Sequence, residues 1–168
     1  MSLVSFDRLP PSSRLWIYGC SRTLTPEEIQ PVRHATDQFI AGWTAHRNEL
    51  DAGWKLEHNR FFLIGVDQKK MSASGCSIDA LVRFMKEIEE QLQCDIVSTA
   101  AMVFYRTGTG AIACSSRSGF KKLLQEGKVV PETVVFNNTL VSVADLVAEK
   151  WEVPMRESWH QRAFGTLV

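Results

Sequence analysis

Trp54-Lys55-Leu56-Glu57-His58-Asn59-Arg60-Phe61-Phe62-Leu63-Ile64-Gly65-Val66 is the stretch on which the fold turns. From Trp54 to His58 apolar and polar side chains alternate, the pattern of a strand with one wet face, whereas Phe61 to Val66 is almost continuously apolar and suits a strand covered on both faces. Asn59-Arg60 between them reads as a tight turn or a polar interruption. A strand covered on both faces needs partners on both sides, so the flanking sequence must supply helices and further strands.

It does. Upstream, Leu15-Trp16-Ile17-Tyr18 is a short strand-like run, and Thr25-Pro26-Glu27-Glu28 holds a Thr-x-x-Glu capping box with proline at the first helical position. The helix beginning there has an inward stripe of Ile29, Val32, Thr36, Phe39, Ile40 and Trp43 and is expected to end near His46. Downstream, a second helix is expected from Ser77 to about Gln93, with Ile78, Leu81, Val82, Met85, Ile88 and Leu92 on one face. Val97 to Tyr105 and Ala111 to Cys114 read as a hairpin around Gly108 and Gly110. Ser118 reads as the cap of a short helix closed by Gly127, Thr133 to Phe136 as a strand, and Ser142 to Trp151 as a last helix before an irregular tail. The predicted class is α+β: one domain over residues 14–168, with a mixed, largely antiparallel sheet of about five strands and helices packed on it. Residues 1–13, with two prolines and four serines, are expected to form a flexible arm.

Composition narrows the function classes. The 168 residues are 45% hydrophobic and 23% charged, which suits an ordered globular chain. Lys+Arg and Asp+Glu are equal at 19 each, so no general attraction to nucleic acid or to anionic lipid is expected. Cys20, Cys76, Cys94 and Cys114 are widely spaced without a C-x-x-C pair; they read as reduced thiols, with no zinc site. The first residues have no apolar signal core and no run reaches membrane-spanning length, so a cytoplasmic location is expected, and no cofactor is implied. There is no G-x-x-x-x-G-K-[ST] loop, no H-E-x-x-H and no G-x-S-x-G, which argues against a P-loop ATPase, a zincin and an α/β-hydrolase.

What remains is the loop Ala73-Ser74-Gly75-Cys76-Ser77-Ile78-Asp79 ahead of the second helix. Free N–H groups and the positive dipole end of a helix can hold an anion or favour a thiolate. Ser74, Gly75, Cys76, Ser77 and Asp79 are therefore the first candidate residues, with Asn59 and Arg60 as second contributors to a small anionic ligand. The same loop has a plainer reading, in which Ser77 caps the helix, Asp79 offsets its dipole and Gly75 makes the turn. The leading expectation is a binding or interaction domain for a small anion or a protein partner. The alternative is an enzyme using Cys76 with His46 or His160 as base.

Trp16-Ile17-Tyr18, Trp43-Thr44-Ala45-His46, Asn59-Arg60-Phe61, Ser74-Gly75-Cys76-Ser77-Ile78-Asp79, Phe136-Asn137-Asn138 and Ser158-Trp159-His160 together resemble a group of small uncharacterised bacterial proteins, over residues 14–160. Members are sometimes labelled ABC transporter ATPase, and the resemblance implies no established activity and no catalytic residue. Residues 120–136 are similar to part of the GYF-type peptide-binding modules, which implies a helix-turn-strand unit there.

Overall fold

A computed structural model describes residues 3–45, 48–49, 51–68 and 75–165. Its centre is the strand that the sequence marked. β5 (Phe61–Asp67) runs between β1 (Arg14–Gly19) and β4 (Asp51–Glu57), antiparallel to both, with Ile64 opposite Trp16 on one side and Trp54 on the other. Phe61 to Val66 are all buried, and the pleat sends alternate side chains to different cores. Phe62, Ile64 and Val66 face α1 (Pro26–Gly42) and α2 (Gly75–Leu92), where they meet Val32, Ile40, Leu81, Met85 and Ile88. Phe61 and Leu63 face the opposite way, toward Phe104, Phe136 and Trp151.

Those last residues belong to a second antiparallel sheet. It has the order β7-β6-β8-β9, built from β6 (Met102–Arg106), β7 (Ile112–Ser116), β8 (Val134–Phe136) and β9 (Glu152–Pro154). The pleat divides this sheet as well. Phe104 and Phe136 point to the first sheet, while Val103 and Val135 join Phe120, Leu124, Met155 and Phe164 on the outer face. That face is covered by α3 (Arg117–Gln125) and α5 (Trp159–Phe164), so the order of layers is helices, sheet, sheet, helices. A short ribbon of β2 (Thr44–Ala45) and β3 (Asn48–Glu49) lies beyond α1, and α4 (Val143–Val147) packs its Val143 into the middle core.

The α+β class and the antiparallel bias are as the sequence predicts, but the strands divide between two sheets because β1 and β4 occupy both sides of β5. The outer edges of β1 and β4 are covered in turn. Leu15 N–H bonds Val141 O at 3.0 Å, and Val4 N–H bonds Ala52 O at 2.9 Å. The second of these contacts corrects the expected N-terminal arm: residues 3–13 pack against the sheet, with Phe6 and Leu9 in the middle core. Gly53 allows the crossing, since a Cβ there would stand 2.6 Å from Val4 O.

Local signals fared unevenly. The capping box is present at Thr25 and Glu28, but α1 stops at Gly42, short of His46. The turn after β4 is centred on His58 and Asn59, both with positive φ, and closed by Arg60 N–H to Glu57 O at 3.0 Å. Ser116, not Ser118, caps α3, accepting Gly119 N–H at 3.0 Å. Gly127 ends that helix as expected, at φ 69, while Lys128 N–H reaches Leu123 O at 2.9 Å. The tail after Trp151 is ordered as β9, a 3-10 turn and α5. Of the five tryptophans, Trp43 and Trp151 are buried and the others half-buried, so they form no exposed aromatic face. No helix among the described residues is long and apolar enough to cross a membrane.

Candidate functional site

The loop ahead of α2 is described from Gly75 onward; Ser74 and His46 lie outside the described residues. α2 already begins at Gly75, so Ser77 sits inside its first turn and is not its cap. Ser77 is buried, and its carbonyl accepts the Trp43 indole N–H at 2.9 Å. Gly75 and Cys76 are exposed, and a Cβ on Gly75 would meet nothing within 4 Å, so no close approach requires glycine there. Asp79 is exposed on the same turn, where its charge favours the helix dipole and opposes a bound anion.

Asn59 and Arg60 do not join this loop. They precede β5, whose seven residues carry the chain about 20 Å away before α2 begins. Arg60 is buried and works as a three-pronged staple, donating to Cys20 O at 2.9 Å, Ser21 O at 2.6 Å and Ile112 O at 2.7 Å. Burial lowers its pKa from the usual arginine value. Asn59 occupies the turn, and its carbonyl accepts Leu24 N–H at 2.8 Å.

His160 is likewise remote from Cys76. It lies beside residues that follow the C-terminus of α2, and the 18 residues of that helix span about 26 Å. The expected pairing of Cys76 with His160 is therefore not formed.

His160 instead walls a cleft of about 160 Å³ between the two sheets' C-terminal surroundings, lined by Ile17, Tyr18, Thr99, Asn138 and Trp159 among others. Segments from both sheets build it, with Met102 of β6 and Phe136 of β8 among its walls. β1 supplies Ile17 and Tyr18, the 3-10 turn Ser98–Ala101 supplies Thr99, the loop after β8 supplies Asn138, and α5 supplies Trp159 and His160. Glu89 fixes the turn after α2 by accepting the N–H groups of Ile96 and Val97 at 2.6 and 2.8 Å, and the Thr99 hydroxyl ties that turn to Gly19 O at 2.7 Å.

The lining is electrically neutral: none of its residues is Asp, Glu, Lys or Arg. Burial, aided by Arg117, pushes the His160 pKa down to about 4, so its imidazole is uncharged at neutral pH. The Ser158 hydroxyl lies 2.7 Å from His160 Nδ1, and the ring stacks on Trp159 with centroids 3.9 Å apart. No Asp or Glu among the described residues bonds His160, so Ser158 and His160 make an orienting pair and not a nucleophile, base and acid set. Burial also raises the Tyr18 pKa, keeping the phenol protonated. Asn138 Oδ1 accepts the Trp151 indole N–H at 2.8 Å, which leaves its amide with donors to offer. The Trp159 Nε1 is buried without a hydrogen-bond partner, an arrangement that costs about 1–3 kcal/mol in the free protein.

A second cluster lies at the same end of α2. Cys20 follows β1 and Cys94 follows α2, and Ser21 N–H to Asp95 O at 2.9 Å holds the two segments together. The Ser21 hydroxyl is 3.4 Å from Cys94 Sγ. The Cys20 thiol, the Ser21 hydroxyl and backbone N–H groups of Ser21 and Arg22 lower the Cys94 pKa below the usual thiol value, against the opposing effect of burial. Cys20 moves upward, because its proton is engaged with the Cys94 sulfur and because it is buried. Spacing in sequence gave no hint of this pair, which only the tertiary fold joins.

Compared with family models, with curated proteins and with solved structures, the chain matches none, so the functional argument rests on the geometry.

Proposed function

We propose that the protein is a small-molecule binding domain whose ligand is a compact neutral molecule, with a flat apolar body and a carbonyl-type acceptor, held in the cleft beside His160. The observation that carries this reading is a largely apolar cavity without a formal charge, walled by an uncharged histidine and an indole ring. Its volume is close to that of an apolar cavity of about 150 Å³ that holds benzene in another protein, which sets the size of the body. The acceptor follows from the Asn138 amide, whose oxygen is taken by the Trp151 indole and which has N–H groups to give. Three of the segments that carry the resemblance to the bacterial group, around Tyr18, Asn138 and His160, meet in this cleft.

A small anion is disfavoured here, since no cationic side chain lines the cavity and an unpaired buried charge is costly. The test is an NMR titration of the whole chain with neutral ring amides, for instance uracil and nicotinamide, beside inorganic phosphate and acetate. Expected are shifts of the Trp159 indole and Asn138 amide signals with the neutral compounds, lost in an Ile17→Trp variant that fills the cleft. Shifts confined to residues 75–79 and produced by phosphate would replace this reading with an anion site at the start of α2.

A further inference from the structure

We propose that Cys20 and Cys94 form a hydroperoxide-reactive dithiol, in which Cys94 is attacked first and Cys20 resolves it to a disulfide. The site stands apart from the cleft ligand. Its geometry begins with the chain path: β1 and α2 both end here, and Ser21 N–H to Asp95 O at 2.9 Å locks the two cysteine-bearing segments side by side. Around Cys94 Sγ stand the Ser21 hydroxyl at 3.4 Å, backbone N–H groups of Ser21 and Arg22, and the Cys20 thiol, donors that favour a thiolate, while the Asp95 carbonyl at 3.6 Å accepts from the thiol form.

Access selects the oxidant. Cys94 is 5% exposed and Cys20 is 0% exposed, so burial excludes a bulky oxidant such as glutathione disulfide and leaves one as small as hydrogen peroxide as the fitting class. In the first step the Cys94 thiolate attacks one peroxide oxygen, the O–O bond breaks, and the departing hydroxide takes a proton to become water. The sulfur is oxidised by two electrons to a sulfenic acid and the peroxide is reduced. In the second step the Cys20 sulfur attacks Cys94, the S–S bond forms and the S–O bond breaks. The Cys20 proton leaves with the hydroxide as a second water. Ser21 and the adjacent Cys20 carbonyl are both gripped by Arg60, so the partner is held at the point of attack.

Cys76 is the natural control, because it is exposed and lies about 26 Å away along α2. The experiment treats the reduced full-length chain with hydrogen peroxide, traps sulfenic acid with dimedone and remaining thiols with iodoacetamide, and maps peptides without reduction. Wild-type protein is expected to give a Cys20–Cys94 cross-linked peptide, lighter than its reduced parts by two hydrogen atoms and reversed by dithiothreitol. Cys20→Ser should give a dimedone adduct at Cys94, and Cys94→Ser should give neither product. The wild-type map decides the matter even if a variant fails to fold. Oxidation at Cys76 with Cys20 and Cys94 untouched overturns the proposal. So does a Cys94 sulfinic acid formed without cross-link, or a sulfenic acid trapped on Cys20 in place of Cys94.

Discussion

The two ends of α2 each carry a cysteine, and their surroundings differ in every respect that matters for chemistry. At the N-terminal end Cys76 and Asp79 are exposed, beside Gly75, around which a side chain would find open space. At the C-terminal end Cys94 is packed against Ser21 and Cys20, and the turn that carries Thr99 a few residues on adjoins the His160 cleft. A helix N-terminus offers a dipole and a few donors, and water can satisfy them. The other end brings together segments from β1, α2, the second sheet and α5, so donors, apolar walls and buried thiols are fixed by packing. Chemistry that needs exclusion of water belongs there.

The comparison predicts where substitutions will hurt. The largest effect is expected between the sheets. Phe61→Ala removes a fully buried ring that meets Phe104, Phe136 and Trp151 at 4.8–5.1 Å between centroids. It should cost about 3–5 kcal/mol in urea unfolding, and a loss below about 1 kcal/mol would break the two-sided account of β5.

Arg60→Met comes next. Three carbonyls at the C-terminal end of α2's neighbourhood lose their donor together, so about 3 kcal/mol of destabilisation is expected by the same measurement. A matching change at the other end should be silent: Cys76→Ala is expected to shift stability by less than about 0.5 kcal/mol.

The C-terminal end of α2 also carries groups that make stability depend on pH. His160 in the folded protein has a pKa near 4, below its ordinary value of 6.5, so the unfolded chain binds the extra proton between those values. Stability from this group is therefore complete above about pH 6.5, is lost as pH falls toward 4, and changes no further below that. The full loss is about 3 kcal/mol at 1.36 kcal/mol per unit. Glu28, held near 2 by Arg22 and the Thr25 N–H, acts in a lower window, so its contribution is lost only below about pH 4.5. Chemical denaturation of His160→Gln between pH 4 and 7 should show a flatter profile than wild type. An unchanged slope would place the titrating group elsewhere.

The remaining expected effect is a small gain. Gly75→Ala meets nothing within 4 Å and lies in the first turn of α2, so it should raise stability by about 0.4–1 kcal/mol in thermal unfolding. A loss there would show that this end of the helix is more constrained than its exposure indicates.

The sequence by itself determined the elements whose signals are local. The capping box at Thr25 and Glu28 starts α1, the stripe of Leu81, Met85 and Ile88 makes α2 amphipathic, and the unbroken run from Phe61 to Val66 demands cover on both faces. Each is a matter of hydrogen bonds or periodicity within a few residues, which the chain carries wherever it folds. Tertiary structure alone decided the sites. β9 and α5 are too short to show a period, and they are ordered because Val135, Phe120 and Phe164 need their outer face covered. Arg60 looked like an anion ligand until three carbonyls from distant segments were placed around it. Cys20 and Cys94 are 74 residues apart in the chain and meet because β1 and α2 end at the same edge of the first sheet. His160 and Tyr18 are joined across two sheets in the same way. Their meeting depends on which strand edges are paired and on how the second sheet packs against the first, and that information is spread over the whole core, not written in any stretch a few residues long.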